Sequence, residues 1–405
     1  MEPWAQVLIP EVSPPAVSPV VFDSAPNALV PLPLSKISTI YVCGITPYDA
    51  THMGHAATYV AFDSLIRLWK ALGVQVNYTQ NITDVDDPLI ERALATGRDW
   101  RDIASEQIDL FKADMEALRV IPPDHYIGAV ESIDLVLKRV AQLQQLGAVY
   151  ELDGDFYYDI SRARLLGQIA HLTDEEMTTI FAERGGDPAR VGKRHPLDAL
   201  VWRAKANNDP YWPGPLGEGR PGWHIECSAI ALEYLGDTIT VQGGGSDLKF
   251  PHHEMSAAHA ETVTAQIPFA QVFMHAGMVA LDGQKMSKSL GNLVFVSKLR
   301  AADVDPMAIR LTILNHHYRS DWEWFDSELD AAATRLAQWR KAFSSSTPAP
   351  SVGDKLVQAL ANDLDTPSAI ALVDNWVAAT LASGNGSRTE ISDMADLVDA
   401  LLGVV

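Results

Sequence analysis

The chain is short of cysteine, of basic residues and of long apolar runs, and each shortage excludes something. Only 2 of its 405 residues are cysteine, too few for a small disulfide-stapled secreted fold. No stretch approaches the roughly 20 apolar residues that span a bilayer, and the amino terminus shows no basic-then-apolar leader pattern. The expectation is a cytoplasmic protein without membrane contact, in a compartment where a lone structural disulfide is rare. Lys and Arg number 31 against 52 Asp and Glu, a net charge of −21. Nucleic-acid affinity rests on basic side chains releasing counterions from phosphates, so this balance opposes a polyanion partner. No internal repeat is evident, and nothing suggests more than a monomer. What is present is a 47% hydrophobic chain, ample for a core and long enough for two or three domains.

The organisation reads as α/β. Residues 1–37, rich in Pro, Ser and Val, suggest an extended arm. A buried strand from Ser38 to Cys43 runs through a Gly44 turn into a helix from about His55 to Leu72, closed by Gly73, and Val74–Tyr78 gives the next strand. Tyr59, Phe62, Leu65, Ile66, Trp69 and Leu72 share one helical face, so a parallel βαβ unit follows, whose ligands bind at the carboxyl ends of the strands. The expected divisions are 38–120 for the first half of a Rossmann-like catalytic domain and 121–220 for an α-rich insertion. The second half then occupies 221–295, stem helices 296–343, a Ser/Pro linker 344–351 and a terminal helical bundle 352–405.

Both cysteines lie in metal-ligand-like contexts, Cys43 in Y-V-C-G-I-T-P-Y and Cys227 in G-W-H-I-E-C-S, and His252 follows in P-H-H-E. Scattered cysteines are ordinarily small buried hydrophobes. Beside glycine turns and histidines they read instead as zinc ligands, and three protein ligands would leave one coordination position for a substrate atom. Thr51-His-Met-Gly-His55 occupies a strand-to-helix turn, where amides and the helix dipole favour an anion and the imidazoles of His52 and His55 donate to it. Lys285 and Lys288, in K-M-S-K-S after an Asp282-Gly283 turn, form a cationic loop suited to closing over a triphosphate.

In this order the two signatures resemble those of class I aminoacyl-tRNA synthetases. Y-V-C-G-I-T-P-Y, N-I-T-D-V-D-D (Asn81 to Asp87), G-W-H-I-E-C-S and G-G-G-S-D-L-K-F-P-H-H-E (Gly243 to Glu254) further resemble the cysteinyl subgroup, over about Ser38 to Trp324. Three departures stand out: Ser256 where that subgroup has a fourth, acidic zinc ligand, Ala57 where it has arginine, and Pro88 where it has lysine. With H-M-G-H and with E-R-G-G-D-P at Glu183 to Pro188, the chain is more similar to the mycothiol cysteine ligase family.

That resemblance implies Mg-ATP, L-cysteine and glucosaminyl-inositol as substrates, a cysteinyl-adenylate intermediate, and one Zn²⁺ on Cys43, Cys227 and His252 selecting the cysteine thiolate. It places Cys43, Gly44, Ile45, Thr46 and Trp223 beside the amino acid. Thr58, Asn81, Ile82, Thr83, Gly245, Ser246, Asp247 and Val279 fall against the adenylate, with His52, His55, Lys285 and Lys288 on the phosphates. Trp223 as a core residue is the plainer alternative. His253, Glu254 and Asp84 read equally as caps, Asp86 and Asp87 as helix-start acids, His316-His317 as structural, and Glu183–Pro188 as a sugar contact or a tight turn. Two other functions remain open on the residues, a cysteinyl-tRNA synthetase without its anticodon domain and a non-catalytic zinc-dependent cysteine binder.

Overall fold

The computed structural model describes the chain except residues 14, 49–50, 207–208, 282, 287–290, 346–350 and 384–387. The arm is not extended throughout. Its second half is a hairpin in which β1 (Val20–Asp23) pairs antiparallel with β2 (Ala28–Pro31). The reversal uses Asn27 at φ 52, a left-handed position that asparagine tolerates. Asp23 accepts from the amide of Phe273 at 3.1 Å, and the amide of Ser24 donates to the Phe273 carbonyl at 2.9 Å, which fixes the hairpin to the catalytic domain.

The first half of that domain comprises β3 (Ile37–Val42), α1 (Met53–Ala71), β4 (Gln75–Ile82), α2 (Asp87–Thr96), α3 (Trp100–Ala117) and β5 (His125–Gly128). Strand β5 lies within the stretch assigned to the insertion, yet it pairs in parallel with β4 and forms an edge of the main sheet. The insertion proper carries α4 (Ile133–Gln145), β6 (Val149–Leu152), β7 (Asp155–Tyr158), α5 (Asp174–Glu183), β8 (Ala199–Ala204) and β9 (Gly219–Pro221). Beside its helices it carries a sheet. Its four strands form an antiparallel sheet in the order β6-β7-β8-β9, because Tyr150, Tyr157, Tyr158, Val201 and Trp202 supply the bulky residues that a half-buried pleated surface favours.

The second half runs α6 (Trp223–Tyr234), β10 (Ile239–Gly245), α7 (Glu254–Thr264) and β11 (Ala270–Ala276). The five parallel strands lie in the order β11-β10-β3-β4-β5. Strand order thus reverses between β3 and β10, which opens a crevice beyond their carboxyl ends. A small sheet follows, with β13 (Gln284–Lys285) and β14 (Trp322–Glu323) flanking β12 (Val279–Leu281). The helices α8 (Val296–Ala301), α9 (Pro306–Leu314), α10 (Asp326–Phe343), α11 (Gly353–Ala361), α12 (Thr366–Ser383) and α13 (Arg388–Leu402) complete the chain.

Helix α1 is buried nearly all round rather than on one face, since it lies against the parallel sheet on one side and α9 and α13 on the other. Burial on both sides requires its polar residues to be paired. Asp63 accepts from Arg67 Nε at 2.6 Å, from Arg310 Nη2 and from the Ile121 amide at 2.8 Å. Burial alone would raise the Asp63 carboxyl, but Arg310 and Arg67 outweigh it and hold it below the usual range. The two guanidiniums also donate to main-chain oxygens: Arg67 to Asp399 and Arg119, Arg310 to Leu118 and Leu402. This cluster ties α1, the loop after α3 and the end of α13 together.

Candidate active site

Beyond β3 the chain turns sharply at Cys43 and Gly44. The Cys43 amide donates to the Gly243 carbonyl at 3.0 Å, and the Gly44 amide to Asn81 Oδ1 at 2.8 Å. A Cβ on Gly44 would lie 1.7 Å from the Asn81 carbonyl oxygen, so no other residue fits. Asn81 also donates to Thr83 Oγ1 at 3.2 Å. Asn81, Ile82 and Thr83 are buried beneath the turn rather than on a cleft wall.

The Cys43 and Cys227 sulfurs are 3.9 Å apart and not bonded, and His252 Nε2 is 3.2 Å from Cys227. The three ligand atoms lie within 4.8 Å of one another, all buried. A tetrahedral site with Zn–S near 2.3 Å separates two sulfurs by about 3.8 Å, so the donor set and its spacing suit zinc. Burial would raise the Cys227 thiol, but contacts from Cys43, His252 and Tyr41 reverse this and bring it well below its ordinary value. The neighbouring Cys43 thiol is raised by burial and by Cys227, so Cys227 ionises first. Ser256, where a fourth ligand would stand, is occupied otherwise: it donates to the His253 carbonyl at 3.3 Å and accepts from Gln242 Nε2 at 3.3 Å.

Around this triad is a histidine shell that sequence reasoning did not assemble. His252 Nδ1 meets His224 Nδ1 at 3.1 Å, the kind of outer partner that fixes a metal-binding imidazole. His253 Nε2 lies 3.3 Å from Cys43 Sγ, His253 Nδ1 lies 2.8 Å from His275 Nε2, and His275 Nδ1 lies 2.8 Å from Ser24 Oγ. As a metal ligand Cys43 would be a thiolate, which only accepts, and this sets the polarity of the whole chain. His253 donates from Nε2 and accepts at Nδ1, His275 donates from Nε2 and accepts at Nδ1, and the Ser24 hydroxyl donates. Burial, with His275 and His252 for His253 and with Lys249 for His275, holds both imidazoles well below their ordinary pKa, so both are neutral as this polarity requires. Neither Ser24, in a Pro-rich arm, nor His275, in an ordinary strand, carried a motif that pointed here.

A cleft of about 460 Å³ opens beside Cys43. Of the expected residues, Cys43, Gly44, Ile45, Thr46, His52, His55, Thr58, Trp223, Gly245, Asp247 and Val279 line it; Ser246, Cys227 and His252 do not. Trp223 begins α6 and stacks on His252 with centroids 4.4 Å apart and planes at 23°. His52 caps α1, its Nδ1 accepting from the amides of Gly54 at 3.1 Å and His55 at 3.4 Å. Acceptance at Nδ1 leaves the ring proton on Nε2. The His55 ring stacks on His52 at 3.7 Å, and the first turn of α1 has no acid to compete for its dipole. Tyr48, Tyr59, Arg184, Met278, Met286 and Leu293 also line the cleft and were not expected there. Lys288 and its neighbours 287–290 lie outside the described residues; Lys285 belongs to β13, with its side chain outside the description.

The remaining candidates are structural. Asp86 caps α2, accepting from the Asp87 amide at 2.9 Å, and Asp87 pairs with Arg203 and Arg220. Asp84 accepts from the Val130 amide at 2.9 Å, and burial pushes its carboxyl up to about 6. Glu254 caps no helix with its side chain; it accepts from three amides of the insertion. His316 bonds Glu328 at 2.9 Å and stacks on Trp322.

A parallel sheet with a crevice at its switch point and a histidine-capped helix define a ligase of the class I synthetase fold. Residues 30–334 match the family described as tRNA synthetases class I (C) catalytic domain, and the chain belongs to that family. Among curated proteins it is 56% identical over 409 residues, all of both chains, to a protein of Kribbella flavida named L-cysteine:1D-myo-inositol 2-amino-2-deoxy-alpha-D-glucopyranoside ligase. Proteins of the same name from Thermomonospora curvata (54% identity; 96% of this chain, 95% of the relative) and Catenulispora acidiphila (52%, all of both chains) are similar throughout. Among solved structures, Mycobacterium tuberculosis methionyl-tRNA synthetase with methionyl-adenylate superposes with a TM-score of 0.65 at 14% identity, covering 91% of this chain and 92% of its own. The Agrobacterium radiobacter leucyl enzyme gives 0.64 at 14%, covering 92% and 84%. These two support the fold alone. No helix among the described residues is long and apolar enough to cross a membrane.

Proposed function

We propose that this protein ligates L-cysteine to the amine of glucosaminyl-inositol at the expense of ATP, through a cysteinyl-adenylate, as a cytoplasmic monomer. The observation that carries this reading is one cleft lined at one end by Cys43, behind which Cys227 and His252 complete a buried triad, and on its wall by the His52–His55 helix start. The first end suits a thiol-bearing amino acid and the second an anion. The names of the full-length relatives supply the acceptor.

Cys43, Cys227 and His252 would hold zinc, which when bound offers a Lewis-acidic position that a thiolate fills and a serine hydroxyl does not. Trp223, stacked on His252, walls the amino-acid end and keeps water from it. The substrate carboxylate oxygen attacks the α-phosphorus of Mg-ATP and pyrophosphate leaves, a displacement helped mainly by positioning and by donors facing the developing charge. His52 and His55 supply such donors at the positive end of α1, and Lys285 and Lys288 are assigned to the leaving phosphates. Asp247 is assigned to the ribose hydroxyls. The unprotonated acceptor amine then attacks the activated carbonyl, forming the amide and releasing AMP.

The test is AMP release by purified protein given ATP, cysteine and either glucosaminyl-inositol or tRNA. Release that needs cysteine and the sugar amine is expected. Release driven by tRNA, or none with either acceptor, would overturn the reading.

A further inference from the structure

The insertion grips the short run of chain that joins the two ends of the cleft. Between β10 and α7 the backbone passes from Gly245 through the turn Ser246–Leu248 to His252, linking the nucleotide side to the cysteine side. Three contacts from the insertion hold this run. Arg184, at the end of α5, donates from Nη1 to the main-chain oxygen of Asp247 at 2.8 Å. Met177 and Phe181 of α5 share a buried cluster with Phe250. The amides of Gly167, Ile169 and Ala170 donate to the Glu254 carboxylate at 3.0, 2.7 and 3.0 Å.

The Glu183–Pro188 loop is built to aim the first of these. Gly185 has φ +85, the left-handed conformation that ends helices and that glycine adopts without strain. A Cβ on Gly186 would lie 2.5 Å from the Phe181 ring. Asp187 accepts from the Tyr157 hydroxyl and from Lys193 Nζ, at 2.9 Å for the latter, which anchors the far side of the loop to the insertion's sheet. Of the six residues, Arg184 alone reaches the cleft wall.

We propose that Arg184 is a positioning residue for adenylate formation, holding the Asp247 turn at the distance from the thiol-binding end that brings the substrate carboxylate onto the α-phosphorus. This rests on the ligase reading above. In-line attack requires the reacting atoms about 3–3.5 Å apart, and small misplacement is costly. Arg184 acts through a main-chain oxygen, so a lysine that donates once to the same carbonyl serves in its place.

The experiment is cysteine-dependent ATP–pyrophosphate exchange on the zinc-loaded full chain, with R184A, R184K and thermal melts. R184A is expected to lower exchange about tenfold, chiefly through a lower kcat, with the KM for cysteine and the melting temperature unmoved. R184K is expected to recover to within about threefold of the unaltered protein. Unchanged exchange in R184A overturns the assignment, and if AMP release driven by the sugar amine is then impaired through the KM for that amine, Arg184 is an acceptor contact instead. Equal impairment of both variants with early melting overturns it too, as a purely structural role. No exchange in the unaltered protein fells the ligase reading and this proposal together; normal exchange in it with an unaffected R184A fells this proposal alone.

Discussion

Replacing Ser24 with alanine tests whether the hydrogen-bonded chain running to Cys43 has the polarity deduced for it. The hydroxyl is 2% exposed and lies 2.8 Å from His275 Nδ1. Without it, that nitrogen is left buried and unpaired, at a cost of about 1–3 kcal/mol. Moving the ring proton to Nδ1 brings no relief, since that N–H is equally unpaired and the Nε2 lone pair then faces the lone pair on His253 Nδ1. Should His253 also switch, its Nε2 lone pair faces the Cys43 sulfur, which repels a thiolate and therefore disfavours a bound cation. The loss is thus felt mainly in the metal-loaded protein. Outer-shell changes of this kind weaken metal binding about 10–100-fold, and with two imidazoles intervening we expect the lower end, about 1.4 kcal/mol. Competition against a chromophoric chelator measures the affinity, and urea unfolding with and without zinc measures the linkage. Equal destabilisation of the loaded and stripped protein, with unaltered zinc affinity, would refute the deduced polarity and leave Ser24 an ordinary structural hydroxyl.

Other expectations follow from the same geometry. C227S replaces the sulfur that ionises first with a hydroxyl that does not ionise; metal analysis should find zinc lost, and exchange assays should find cysteine no longer preferred over serine, so full retention of either contradicts the site. D63N leaves Arg67 and Arg310 buried without their anion and should cost about 3–5 kcal/mol in urea unfolding; a loss below about 1 kcal/mol would mean the main-chain oxygens alone satisfy both guanidiniums. Asp84 has its folded carboxyl pKa raised from 3.8 to about 6, so its protonated form stabilises the fold below pH 4 and that contribution is lost as pH rises through 6. D84N removes this dependence, and its stability relative to the unaltered protein should climb by up to about 3 kcal/mol between pH 4 and pH 7; a flat difference would show the carboxyl to be solvated.

The sequence carried the parts of this molecule that depend on local pattern. The strand-turn-helix around Gly44, the helix start at His52–His55 and the metal triad were legible because glycine turns, helical periodicity and soft ligands leave marks a few residues wide. The insertion's sheet was not. Its strands are four to six residues at β6, β7 and β8 and three at β9, and long loops separate β7 from β8 and β8 from β9. The histidine shell escaped for a different reason. His224 lies in α6, His253 just before α7, His275 in β11 and Ser24 just after β1, so the network exists only after these four parts of the chain have packed. Asn81 shows the same limit at one residue, since its motif was visible while its use as a brace for Gly44 depended on β3 and β4 pairing.

The buried guanidiniums under α1 have a practical bearing on how the protein is handled. Arg310 takes the Leu402 carbonyl, Val404 is fully buried, and Arg119 bonds the Val405 carbonyl. Trimming residues 399–405 would remove main-chain carbonyls that Arg67, Arg119 and Arg310 secure, and the buried Val404 with them.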